Sequence, residues 1–170
     1  MHKALWCFIL LGACATVEEP VDSDVEDTDD TDAAIAEPCS GEGEPGVRFG
    51  GGGRADFIDF GDGDLLVLTE DSAGARGFWL EAMIEGIDMR DAVNVVYRVR
   101  IDGGPSEDYI TRVGLSCDDL AGWTKGFFPF DEDVDTTTLD GASFEVSGVF
   151  ATDAGEVAEG VINLIGSPDW

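Results

Sequence analysis

The chain has 170 residues, 37 of them acidic and nine basic, for a net charge of −28. A body so acidic repels phosphate backbones and anionic headgroups, which excludes charge-driven binding to nucleic acid or to a membrane surface. The only histidine is His2. The chain opens with Met1-His2-Lys3, then the apolar run Ala4–Leu11, then Gly12-Ala13-Cys14. A short basic head, a short apolar core and a small-residue exit read as an export leader over residues 1–13. A membrane span would need about 20 apolar residues. Once the leader is removed no histidine remains, so His-based triads, His general bases and His-ligated zinc are not available.

The tetrapeptide Leu11-Gly12-Ala13-Cys14 resembles the lipobox of bacterial lipoproteins. The resemblance implies cleavage before Cys14, acylation of its sulfur and attachment to the membrane through the lipid anchor alone. Ala15, rather than Asp, follows the cysteine; under the enterobacterial sorting rule that favours the outer membrane. Four cysteines occur. Cys7 leaves with the leader and Cys14 carries the lipid, so Cys39 and Cys117 remain as an even pair. In an oxidising compartment such a pair is expected to form a disulfide. Closing so long a loop contributes ~4 kcal/mol on the chain-entropy estimate.

Residues 15–38 hold ten carboxylates, no base and almost no large apolar side chain, with the low-complexity run Asp27-Thr28-Asp29-Asp30-Thr31-Asp32. Such a segment cannot bury enough surface to offset its ordering entropy. Residues 14–38 are therefore expected to be a lipidated, disordered acidic tether, with a neutral-coil span of roughly 25–30 Å that self-repulsion lengthens.

Residues 39–170 are expected to form one domain. Cys39–Pro45 and Gly50–Gly53 read as loop, the latter as a flexible lead-in without the spacing of a phosphate loop. Apolar alternation then marks strands at Ala55–Phe60, Asp64–Thr69, Phe78–Ile84, Val93–Ile101, Tyr109–Cys117, Trp123–Phe130, Phe144–Phe150 and Val157–Ile165. Trp79 falls on the opposite parity to Phe78 and Leu80. Gly61-Asp62-Gly63-Asp64, Asp102-Gly103-Gly104-Pro105, Asp140-Gly141 and Asp153-Ala154-Gly155 supply tight reversals. The best helical candidate, Ala82–Val93, is interrupted by Gly86. About eight strands at spacings of about 8–12 residues indicate an all-β antiparallel sandwich, immunoglobulin-like or jelly-roll.

The order of these segments resembles a class of myxobacterial-type secreted lipoproteins with an acidic Asp/Thr tether and a β-sandwich body. The residues carrying the likeness are the lipobox, Gly50–Gly53, Asp62-Gly63-Asp64, Ala73–Gly77, Phe78–Ile84, Val93–Ile101, Gly122-Trp123, Leu139-Asp140-Gly141 and the closing hairpin Phe144–Ile165. The resemblance transfers no catalytic residue.

Asp131, Asp133 and Asp135 are the leading metal candidates, with Asp62 and Asp64 behind them. Carboxylates on loops between strands are calcium chemistry, although neither cluster follows the helix-loop-helix template. No other cofactor is expected. Trp79, Trp123, Phe127, Phe128 and Phe130 are candidates for an aromatic platform that meets a sugar or a partner chain, or else for core. The acids are too many for any pair to be singled out for glycoside hydrolysis, and an enzyme is not expected. The sequence thus reads as an exported, cell-envelope interaction or structural module with a protein or glycan partner and no nucleic acid. A calcium-dependent or carbohydrate-binding surface protein is the alternative, and a small carboxylate hydrolase ranks last.

Overall fold

The computed structural model describes residues 39–118 and 121–170. The leader, Cys14 and the acidic tether lie outside the described residues. The fold is all-β and sandwich-like. Its strands are β1 (Gly46–Gly51), β2 (Ile58–Asp59), β3 (Leu65–Glu70), β4 (Arg76–Glu85), β5 (Val93–Ile101), β6 (Ser106–Val113), β7 (Ser116–Asp118), β8 (Ala121–Pro129), β9 (Ser143–Ala151) and β10 (Val157–Pro168). Short 3-10 turns sit at Arg54–Asp56 and Thr136–Thr138.

All ten strands belong to one hydrogen-bonded sheet, in the order β2-β1-β4-β3-β10-β9-β5-β6, with β8 on the far edge of β4 and β7 on β8. Every pairing is antiparallel except β3 with β10, which runs parallel from Leu65 opposite Ile165 to Leu68 opposite Pro168. That ladder carries the sheet from its β4–β8 half to its β9–β5–β6 half. The two halves then face one another: Phe128 of β8 meets Tyr97 of β5 edge-on at 4.8 Å, and Phe78 of β4 meets Phe144 of β9 at 6.0 Å.

Alternation decides which side chains form the core. Along β4, Phe78, Leu80, Ala82 and Ile84 are buried, and along β5 so are Val93, Val95, Tyr97 and Val99. Phe144, Val146 and Phe150 of β9, with Ala158, Ile162 and Leu164 of β10, complete it. Gly160 lets β1 cross closely over β10, since a Cβ there would stand 2.4 Å from the Val47 carbonyl oxygen.

Three expectations need correction. Ala55–Phe60 is a 3-10 turn followed by a two-residue strand, and the full strand lies earlier, at β1. The Gly50–Gly53 lead-in is not all loop, because Gly50 and Gly51 close β1 and pair with β2. The stretch Tyr109–Cys117 breaks at Gly114 and Leu115, where the chain leaves β5 and β7 takes up pairing with β8. Cys39 and Cys117 form the disulfide, with Cα atoms 5.7 Å apart. It fastens the entry of the body to β7, and the Met89 amide donates to the Cys39 carbonyl at 2.9 Å beside it.

Candidate functional site

The outward row of β4 and β8 is built by register. Trp79 lies opposite Phe127, Glu81 opposite Lys125, and Met83 opposite Trp123. Because their neighbours Phe78, Leu80 and Phe128 point into the core, these side chains must point out. The Trp79 and Phe127 rings meet at 5.2 Å, and the Lys125 ammonium stands 5.5 Å over the indole of Trp79.

Glu81 is outward yet only 2% exposed. The glycine-rich segment after β1 covers it. Gly52 and Gly53 have φ of 95° and 94°, a left-handed conformation that brings the Gly53 amide to the carboxylate at 2.8 Å. Trp123 Nε1 donates to the same oxygen at 3.3 Å, and Lys125 Nζ pairs with the other at 3.0 Å. A carboxylate held in this way is neutralised and fully engaged, so it is a structural anchor rather than a reactive group.

Beside Trp79 the outer face becomes aliphatic. Ile58, Leu65, Val67 and Trp79 are 66, 61, 55 and 48% exposed. They border a shallow groove of about 410 Å³ floored by Phe60 and the Gly51–Gly52 backbone. Sequence reasoning placed Leu65–Leu68 on a strand but did not single out Leu65 and Val67. The available signal was an apolar run that fails to alternate, which fits a strand buried on both faces equally well.

The aromatic candidates divide between the faces. Trp79, Trp123 and Phe127 lie outside. Phe128 is buried, and Phe130 packs on Phe78 and Phe144 with centroids 6.0 and 6.1 Å apart. Trp170 lies against Arg76, whose guanidinium stands 5.0 Å from the ring centroid.

The acidic loops are occupied by turn chemistry. Asp135 caps the 3-10 turn, accepting from the Thr137 amide at 3.0 Å and its hydroxyl at 2.6 Å, which holds the carboxyl below its usual range. Asp133 and Asp135 border a depression of about 280 Å³ with Glu107, and Asp131 does not join them. Asp62 accepts from the Asn163 amide at 2.9 Å, and Asp64 from the Gly61 amide at 2.7 Å. Among the described residues no group of three or more His, Cys, Asp or Glu is arranged to hold a metal.

No family model and no curated protein matches the chain. Among solved structures it is similar to the N-terminal domain of PorA, at 10% identity and a TM-score of 0.27, over 71% of this chain and 97% of that one. At that level the likeness carries no argument. The Cys39–Cys117 disulfide fits an extracytoplasmic protein. Among the described residues no helix is long and apolar enough to cross a membrane.

Proposed function

We propose that this chain is an exported, lipid-anchored cell-envelope protein whose body is a non-catalytic interaction module, and that its partner is a protein. The observation that carries this reading is the exposed apolar face of Ile58, Leu65, Val67 and Trp79 on a body whose residues 39–170 sum to −19. Contiguous exposed apolar surface on so charged a molecule marks an interaction site. The face favours protein over sugar. A sugar platform surrounds an aromatic ring with free hydrogen-bonding groups, whereas the carboxylate next in the outward row after Trp79, that of Glu81, is consumed by Lys125, Trp123 and Gly53. Export and anchoring rest on the lipobox-like Leu11-Gly12-Ala13-Cys14.

The test places a photo-activated cross-linking residue at Val67 and, as control, at Asn94 on the outer face of β5, in cells fed an alkyne-bearing fatty acid. The expected result is fatty-acid label lost on Cys14→Ser, and a protein adduct of discrete mass at Val67 with none at Asn94. Equal adducts at both positions, or glycan adducts at Val67, would overturn the protein-partner reading. Label that survives Cys14→Ser would overturn the anchor.

A further inference from the structure

The sheet does not close. On one side of the opening β6 pairs only with β5, and on the other β8 pairs with β4 along its length but with β7 only at Ala121–Trp123. Among the described residues Tyr109–Val113 and Thr124–Phe128 therefore present bare backbone edges to each other. The slot between them measures about 450 Å³. It is shut at one end by the Tyr109 hydroxyl, 2.8 Å from the Pro129 carbonyl oxygen, and at the other by the passage of the chain from β6 into β7. At about 3.3 Å per residue it is long enough for about five extended residues.

Three observations say what fits there. Tyr97, 6% exposed, lines the slot, and among the described residues its hydroxyl has no hydrogen-bond partner. Edge strands are ordinarily blunted by charge or proline. Here the only charges on the two bare runs are on Arg112, which Asp153 pairs, and on Lys125, which Glu81 pairs, and Ile110 is 77% exposed on the bare edge of β6. Seven of the eight basic residues of the body are ion-paired, and Arg54 bonds the Cys117 carbonyl, so the uncompensated charge of the body that a partner approaches is negative.

We propose that this slot accepts an extended segment of a partner polypeptide, neutral or basic, as an added strand between β6 and β8. β6 and β8 run antiparallel, so the inserted strand is parallel to one of them. The parallel β3–β10 ladder shows that this fold accommodates such a pairing. Backbone amides supply affinity, and alternate apolar side chains seat over Tyr97 and Phe128. The slot adjoins the outer face through Lys125 and Phe127, which line it and touch Trp79, but the proposal does not depend on that face.

The probe is the acetylated, amidated peptide Lys-Val-Thr-Val-Thr-Val-Lys at millimolar concentration, added to the full chain and followed by backbone amide exchange. The expected result is exchange slowed about tenfold or more in Tyr109–Val113 and Thr124–Phe128, with β2 unchanged. Tyr97→Phe should weaken binding about fivefold through loss of one hydrogen bond. Thr111→Lys should weaken it about tenfold, without moving the melting midpoint, by placing a positive charge at the mouth beside the lysines of the peptide. No protection in these two runs overturns the proposal, as does equal protection by the peptide with both threonines replaced by proline. Protection without peptide that rises with protein concentration places a second copy in the slot and overturns the partner assignment.

Discussion

Neighbouring residues of β4 meet opposite fates. Phe78, Leu80 and Ala82 face inward and are buried; Trp79 is half exposed, and Glu81 is buried on the outside under a glycine-rich cover. The inner row is redundant and aromatic. Phe78 alone touches Phe128, Phe130 and Phe144, so its loss is felt across both halves of the sheet. The outer row is thin, and much of its polar capacity is spent on one ion pair. Stability therefore resides inside and the proposed recognition surface outside, on the same strand.

Paired truncation is the sharpest way to break this contrast. Phe78→Ala should cost about 3–5 kcal/mol, since a buried aromatic leaves a cavity among three other rings. Trp79→Ala should cost about 1 kcal/mol or less, while abolishing the cross-link at Val67. Denaturant midpoints of the two variants, compared at equal slope, check this. Similar losses at the two positions would show that the outer face is a second core and not a binding surface.

The parity that separates Phe78 from Trp79 was legible in the sequence, as were the strands at Val93–Ile101, Trp123–Phe130, Phe144–Phe150 and Val157–Ile165 to within a few residues, because each depends only on local alternation. The disulfide was legible from cysteine parity. What was not legible depends on contacts between distant segments. Nothing in Leu65–Leu68 announces a parallel ladder with Ile165–Pro168, and nothing in Gly52-Gly53 announces that its amide will cap a carboxylate 28 residues later. The same limit explains the aromatic candidates: alternation sorts Phe127 from Phe128, but only the rolling of the sheet brings Phe128 onto Tyr97. The slot was invisible for a related reason, since an unpaired edge is a property of neighbours that a sequence does not list.

A smaller effect probes the anchor of the outer row. Lys125→Met leaves Glu81 buried without its cation and should cost about 2 kcal/mol, below the figure for a fully buried pair because the lysine side chain is 43% exposed. Glu81→Gln should cost less, about 1 kcal/mol, because the amide oxygen still accepts from Gly53 and Trp123. The double variant Lys125→Met with Glu81→Gln should recover most of the loss of Lys125→Met. A double-mutant cycle by denaturant unfolding gives the coupling directly. Strict additivity would mean that the pair is solvated and the glycine-rich cover is not closed.

The smallest effect concerns the slot and alkaline pH. The chain has two tyrosines, and both line the slot. Burial pushes the Tyr97 phenol well above its ordinary value of 10, and burial, then the Glu107 carboxylate 2.8 Å away, does the same for Tyr109. A phenol whose folded value is raised holds its proton more tightly in the folded state. Its contribution to stability is therefore complete below the unfolded value near 10 and is lost as pH climbs through 10 toward the folded value. For Tyr97 the loss is at most about 1.4 kcal/mol over the first unit of pH above 10. Tyrosinate absorbance reports these two side chains and no others, so unfolding curves at about pH 9 and about pH 11 can be set directly against the titration. Tyr97→Phe should flatten the alkaline decline, and the bound strand peptide should delay tyrosinate formation in the unmodified chain. Tyrosines that titrate near 10 in the folded protein would show that the slot stands open to water, with the two halves of the sheet further apart than the Tyr109–Pro129 contact allows.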